Sequence, residues 1–164
     1  MSLRILTGER AMELYLIQHG LAKPSDEDPD RPLTDEGIRQ TESMVRVAGK
    51  IRGVDQIWHS GKKRAEQTTK ILSAFLKPAP EILVMDGLEP NEDPRLIKNQ
   101  IESLESGVLI VGHLPHLEKL VGLLLCGNEA RRPIEVKNSA LLCLTDQSAA
   151  WAVRWYVVPE MEAD

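Results

Sequence analysis

Residues 13–20 read ELYLIQHG: four apolar side chains in succession, then a glutamine, a histidine and a glycine. A strand with one face in water alternates polar and apolar residues. An unbroken apolar run predicts a strand covered on both faces, here Glu13–Gln18. A second run of this kind, VLIV at 108–111, leads into Gly112-His113. Asp55–Ser60 and Ile82–Met85 read as two further short strands, the latter the weaker. Segments of helical period lie between them. Thr34 is placed to cap a helix whose first turn holds Asp35 and Glu36, with Ile38, Thr41, Val45 and Ala48 following at helical spacing. Arg64–Leu76 predicts a helix with Ala65, Ile71, Leu72 and Phe75 on its core face, ended by Pro78 and Pro80. Asp93-Pro94 starts another, to about residue 104. His116–Cys126 forms a last one, stopped by Gly127. Ala140–Leu144 and Trp151–Val158 flank a turn at Asp146–Ala149 and read as an antiparallel hairpin. The expected fold class is α/β: a three-layer αβα arrangement, with a mostly parallel central sheet and an antiparallel edge.

Length and composition bound what this fold can carry. The chain has 164 residues and a formal charge of −5, with 42% hydrophobic residues. That suits one compact domain, expected over 12–164, and argues against disorder and against broad nucleic-acid binding. Residues 1–11 precede a second methionine, Met12, and are expected to be an N-terminal extension or an expression remnant. No apolar run approaches the length of a membrane span, and no signal-peptide core is visible. Cys126 and Cys143 form no metal-ligand spacing and suit two reduced thiols in a cytoplasmic protein.

The chemistry-bearing residues sit at strand ends. In open α/β sheets ligands bind at the carboxyl ends of the strands. If the first and fourth strands are parallel neighbours, His19 and His113 emerge into one crevice. Ser60 ends the second strand and Arg64 opens the following helix, whose N-terminus favours an anion. Arg31, in the loop after the first strand, is close enough in sequence to fold over the same place. A guanidinium beside two imidazoles suits a phosphate: neutral imidazole is a nucleophile toward phosphorus, and cations spread around the phosphoryl oxygens stabilise the transition state. Lone strand-end histidines are more often structural, and it is the pairing that favours a pocket. His59 is expected to be an ordinary strand residue and His116 a partly exposed helix residue. Trp58, Trp151 and Trp155 are expected in the core or on the sheet faces.

The order QHG (Gln18–Gly20), RPLTDEG (Arg31–Gly37), HSGKKRAEQTT (His59–Thr69) and VLIVGHLPHL (Val108–Leu117) resembles the histidine phosphatase (phosphoglycerate-mutase-like) superfamily. Within it the likeness is to the small SixA-type phosphohistidine phosphatases. The resemblance implies that His19 is the nucleophile that becomes phosphorylated. It implies that His113 is a second pocket histidine on the phosphoryl group, and that Arg64 and Arg31 bind phosphate. It implies no metal and no organic cofactor. Two departures stand out. The family's Arg-His-Gly is here Gln18-His19-Gly20, so a neutral amide stands at a phosphate-binding position, with Lys62 or Lys63 as candidates to compensate. Gly61 replaces the usual proline. The general acid that many members use has three candidates, Glu89, Glu92 and Asp93, none in a clear motif; SixA-type members tend to lack it. The stretch Lys77–Asp93 is too short for the lid of mutase-type relatives.

The expected function is a cofactor-independent phosphatase acting on phosphohistidine through His19, with a phosphorylated protein as partner, such as a phosphohistidine-bearing signalling domain. Two alternatives stand beside it. One is a binding module with weak or no turnover, motivated by Gln18. The other is a phosphatase of small phosphorylated molecules.

Overall fold

The computed structural model describes residues 11–147 and 150–162, so most of the leader, and part of the turn expected at 146–149, lie outside the described residues. The strands are β1 (Glu13–Gln18), β2 (Val54–His59), β3 (Glu81–Val84), β4 (Gly107–Gly112), β5 (Leu141–Gln147) and β6 (Ala150–Val157). The helices are α1 (Asp35–Ser43), α2 (Val45–Ala48), α3 (Lys63–Ser73), α4 (Pro94–Glu102), α5 (His116–Cys126) and α6 (Pro159–Glu162). The strands form one sheet in the order β3-β2-β4-β1-β5-β6. β1 to β4 are mutually parallel, β5 runs antiparallel to β1, and β6 antiparallel to β5. This is the mostly parallel sheet with an antiparallel edge that the sequence predicts.

The unbroken apolar runs belong to the central strands, buried on both faces. Leu14 and Leu16 of β1 join Val108 and Ile110 of β4 in one core, with Ile97, Leu120 and Val121 from α4 and α5. Tyr15 and Ile17, with Leu109 and Val111, join a second core with Met44, Ala65 and Leu72 from the opposite layer. The pleat sends alternate side chains to opposite faces.

Several expectations are corrected. The helix expected through Ala48 breaks at Met44, whose backbone N–H bonds to the Thr41 carbonyl while its side chain is buried, so the chain tightens and α2 follows as one turn. Phe75, expected on the core face, is 55% exposed, because α3 ends at Ser73 and Leu76 takes the core position instead. β3 lies one residue earlier than expected, in register with Gln56–His59. His116, expected to be partly exposed, is fully buried, since the first turn of α5 packs beside Gly87, Glu92 and Asp93 in the loop after β3.

Candidate functional site

The parallel register pairs Gln18 with Gly112, which makes His19 and His113 neighbours one step beyond the paired strands. The His19 backbone N–H donates to the Gly112 carbonyl at 3.1 Å, extending the ladder to the site. Both histidines follow the parity of Ile17 and Val111, so both imidazoles rise on the face covered by α3. Their ring centroids are 5.0 Å apart and tilted by 51°. His19 and His113 are 7% and 1% exposed.

Helix α3 supplies the rest of the site from one face. Arg64 Nε donates to His19 Nε2 at 3.2 Å. Three residues on, Gln67 Oε1 accepts the Leu33 N–H at 2.7 Å and so holds the loop that carries Arg31. One residue further, Thr68 Oγ1 accepts the Gly20 N–H at 2.9 Å. Positions i, i+3 and i+4 share a helix face, so the RAEQT segment reaches three parts of the site in one line. Arg31 has φ of 49°, and its Nε donates to the Lys23 carbonyl. Its charge acts on both His19 and Arg64. Ser60 Oγ lies 2.6 Å from His113 Nε2, and the Lys62 N–H donates to that same hydroxyl at 3.3 Å. No side chain caps the N-terminus of α3.

The electrostatics leave both imidazoles uncharged at neutral pH. Burial pushes His19 down to about 4, with the Arg64 and Arg31 charges adding to it against a hydrogen bond to the Gly20 carbonyl. Burial also pushes His113 down to about 3, helped by His19, Arg64 and Lys62. Since a carbonyl only accepts, the 2.7 Å contact of His19 Nδ1 with Gly20 O assigns the proton to Nδ1. Nε2 then carries a lone pair, directed at Arg64. An unprotonated nitrogen on a ring held by its far nitrogen can attack an electrophilic phosphorus once the guanidinium that bonds it turns to the phosphoryl oxygens.

The structure therefore brings together His19, His113, Arg64 and Ser60, with Arg31 nearby. Gln18 goes elsewhere. The pleat turns it away from His19, and its amide lines a separate cleft with Leu21, Leu114, Lys137 and Asn138, where its Oε1 is buried without a partner. Of the acid candidates, Asp93 caps α4 by accepting the Arg95 N–H, and Glu92 accepts the Glu89 N–H. Glu89 is paired with Lys62 at 3.6 Å. Glu118 of α5 pairs with Arg132 at 3.2 Å.

Sequence reasoning missed Gln67, Thr68 and Asn138, whose Nδ2 donates to the His19 carbonyl at 2.9 Å. The helical spacing from Arg64 could have found the first two. Asn138 comes from the far end of the chain and carries no local signal. Among the described residues no group of three or more His, Cys, Asp or Glu side chains is placed to hold a metal ion. Nor is any helix long and apolar enough to cross a membrane.

The model of the histidine phosphatase superfamily (branch 1) matches residues 14–90, a segment containing His19, Arg31 and Arg64. The structure of the protein histidine phosphatase SixA complexed with tungstate superposes with a TM-score of 0.79 at 26% identity, covering 92% of this chain and 99% of that one. A protein bearing the SixA name from Agrobacterium tumefaciens gives 0.74 at 24% identity, over 92% of this chain and all of the other. Another from Nakamurella multipartitia gives 0.70 at 22% identity, over 92% and 97%. At those identities the latter two speak to the fold alone. No curated protein sequence matches the chain. The chain has the histidine phosphatase fold, and the likeness to SixA-type phosphatases read from its motifs holds in three dimensions.

Proposed function

We propose that this chain is a phosphatase that passes a phosphoryl group through His19, and that its substrate is a phosphohistidine displayed on another protein. The observation that carries the reading is the His19 ring itself. Its Nδ1 is held by the Gly20 carbonyl, its Nε2 lone pair is free of a proton, and Arg64 stands 3.2 Å from that atom.

In the first step the Nε2 lone pair attacks phosphorus, and the P–N bond of the substrate breaks with its electron pair returning to the leaving nitrogen. A phosphohistidine protonated on its other nitrogen leaves as neutral imidazole, so no acid from the protein is required. Arg64 moves from Nε2 to the phosphoryl oxygens, and Arg31 adds its charge. The Gly20 carbonyl steadies the cationic ring of phospho-His19. In the second step water attacks phosphorus, the P–Nε2 bond breaks, and the electron pair returns to Nε2. Dihydrogen phosphate and neutral His19 remain. No metal or organic cofactor takes part. Cys126 and Cys143 are both free thiols, which fits a cytoplasmic setting.

The acid candidates bear on substrate choice. Asp93 and Glu92 are bonded to backbone groups and Glu89 is paired with Lys62, so none of the three stands free to protonate an alkoxide before substrate arrives. That favours a P–N substrate over small phosphate esters. A second reading has its own observation. Gln18 stands where the family resemblance implies a phosphate-binding arginine, and its amide lies in another cleft. A binding module with weak turnover accommodates that.

Parallel turnover of a phosphohistidine protein and of a phosphomonoester panel tests the substrate. The P–N substrate is expected to react faster by at least tenfold, and the reverse order overturns the assignment. Gln18→Arg tests the second reading. A charge-assisted hydrogen bond contributes roughly 1.5–3 kcal/mol, or about tenfold to a few hundredfold. A native chain with no turnover, rescued by Gln18→Arg, establishes the binder; native turnover comparable with the variant's rules it out.

A further inference from the structure

We propose that Lys62 supplies the anion-binding charge that Gln18 does not, and that Glu89 occupies this ammonium until an incoming phosphoryl group displaces it. The inference rests on the phosphatase reading above and assigns one more ligand, with its internal competitor, to the same site.

Lys62 has the placement for this. It lines the cleft beside Arg64, with Asp30, Gly61 and Lys63. Its backbone N–H bonds to Ser60 Oγ, and that hydroxyl meets His113 Nε2. The main chain of Lys62 is thus two hydrogen bonds from the second imidazole. Its charge is felt there too, as one of the groups that hold His113 unprotonated. Lys63 is the weaker candidate. It lies in the first turn of α3, more exposed at 49% against 34%, and pairs along the helix with Glu66 at 3.9 Å.

Glu89 is built into its position. Leu88 is fully buried in the core beside Ile97, and Gly87 turns the chain with φ of 91°. The Glu89 N–H is held by Glu92 at 2.9 Å. The carboxylate so presented reaches Lys62 Nζ at 3.6 Å from a loop 27 positions along the chain. A lysine that pairs with one carboxylate offers the same donors to a phosphoryl group, which carries more charge on three oxygens. Exchange is cheap, because half-exposed ion pairs contribute only about 0.2–1 kcal/mol. The guanidinium that the family places on the first strand is thereby replaced in function by an ammonium from the start of α3.

Calorimetric titration with tungstate, used as the phosphate analogue, tests the exchange because the two partners carry opposite signs. Lys62→Met is expected to weaken binding by about three- to tenfold, as loss of one partly exposed charge-assisted contact. Glu89→Gln removes the competitor and is expected to tighten binding by about two- to fivefold. In the double variant the Glu89→Gln gain disappears, which a merely structural role of either residue does not produce. Lys62→Arg is expected to retain native affinity. Unchanged affinity in Lys62→Met, or a Glu89→Gln gain that persists without Lys62, overturns the proposal while leaving the phosphatase reading intact. A native chain that binds no tungstate overturns both.

Discussion

His19 faces two ways, and each nitrogen has one partner. The Gly20 carbonyl fixes the tautomer, and Arg64 waits on the nitrogen that is left with a lone pair. With His19 at about 4 and His113 at about 3, neither ring competes for protons near neutrality. Apart from the ionisation of the substrate itself, kcat/KM is therefore expected to lose nothing from pH 7 to 5 and to fall as pH drops through about 4; a fall centred near 6.5 contradicts this. Oxyanion binding reverses the balance, since a nearby dianion favours imidazolium. Tungstate binding at pH 6 is expected to take up protons, read as a dependence of the binding enthalpy on buffer ionisation heat. Ser60 offers a sharper test of His113. Ser60→Ala removes its 2.6 Å partner at Nε2 without touching His19. About a tenfold loss of kcat is expected, the scale of one hydrogen bond of ~1.4 kcal/mol, with thermal stability little changed.

At the scale of elements, the strand ends were legible and the braces behind them only partly so. Two unbroken apolar runs, each leading into a glycine and a histidine, predicted covered strands; that they are parallel neighbours was only a condition of the reading, and the register meets it by pairing Gln18 with Gly112. The short motif RPLTDEG takes its shape from close packing. Thr34 caps α1 through the Gly37 N–H, and a Cβ on Gly37 would stand 2.1 Å from the Leu21 carbonyl oxygen. Gly20 is crowded to a lesser degree, its virtual Cβ 2.7 Å from Thr41 Oγ1. Gly37→Ala is expected to destabilise the protein by about 2–4 kcal/mol through the forced shift of the 20–22 backbone, measured by urea unfolding. A change under about 0.5 kcal/mol contradicts that contact. The burial of His116 and the exposure of Phe75 were not legible. Helical spacing defines a stripe, but where a helix ends and what packs on its first turn depend on a loop distant in sequence. Gln18 illustrates the same limit. Its identity was plain, whereas the pleat that turns it from His19 appears only once the register is known.

Across the whole molecule the sheet acts as a bench for the site. Both faces of β1 and β4 are packed, so the two imidazoles stand at the ends of fully covered strands while Arg31 and Glu89 arrive on loops. Keeping four buried histidines uncharged has a consequence for stability, because all four are pushed below the ordinary histidine value by burial. Between the unfolded value near 6.5 and the folded values of about 4 and 3 for His19 and His113, the unfolded chain binds more protons. Stability is therefore retained above about pH 6.5 and lost progressively as pH falls below it. Thermal melts are expected to shift downward between pH 7 and 5. The shift should shrink in His113→Phe, and an unchanged melting temperature would argue against buried neutral imidazoles. The central claim is that His19 carries the phosphoryl group. Rapid alkaline quench during turnover of a phosphohistidine protein, followed by peptide mass spectrometry, reads it directly. The account predicts an acid-labile phosphoryl group on His19, absent in His19→Ala together with all turnover. Turnover that survives His19→Ala, or a phosphoryl group trapped on another residue, contradicts it.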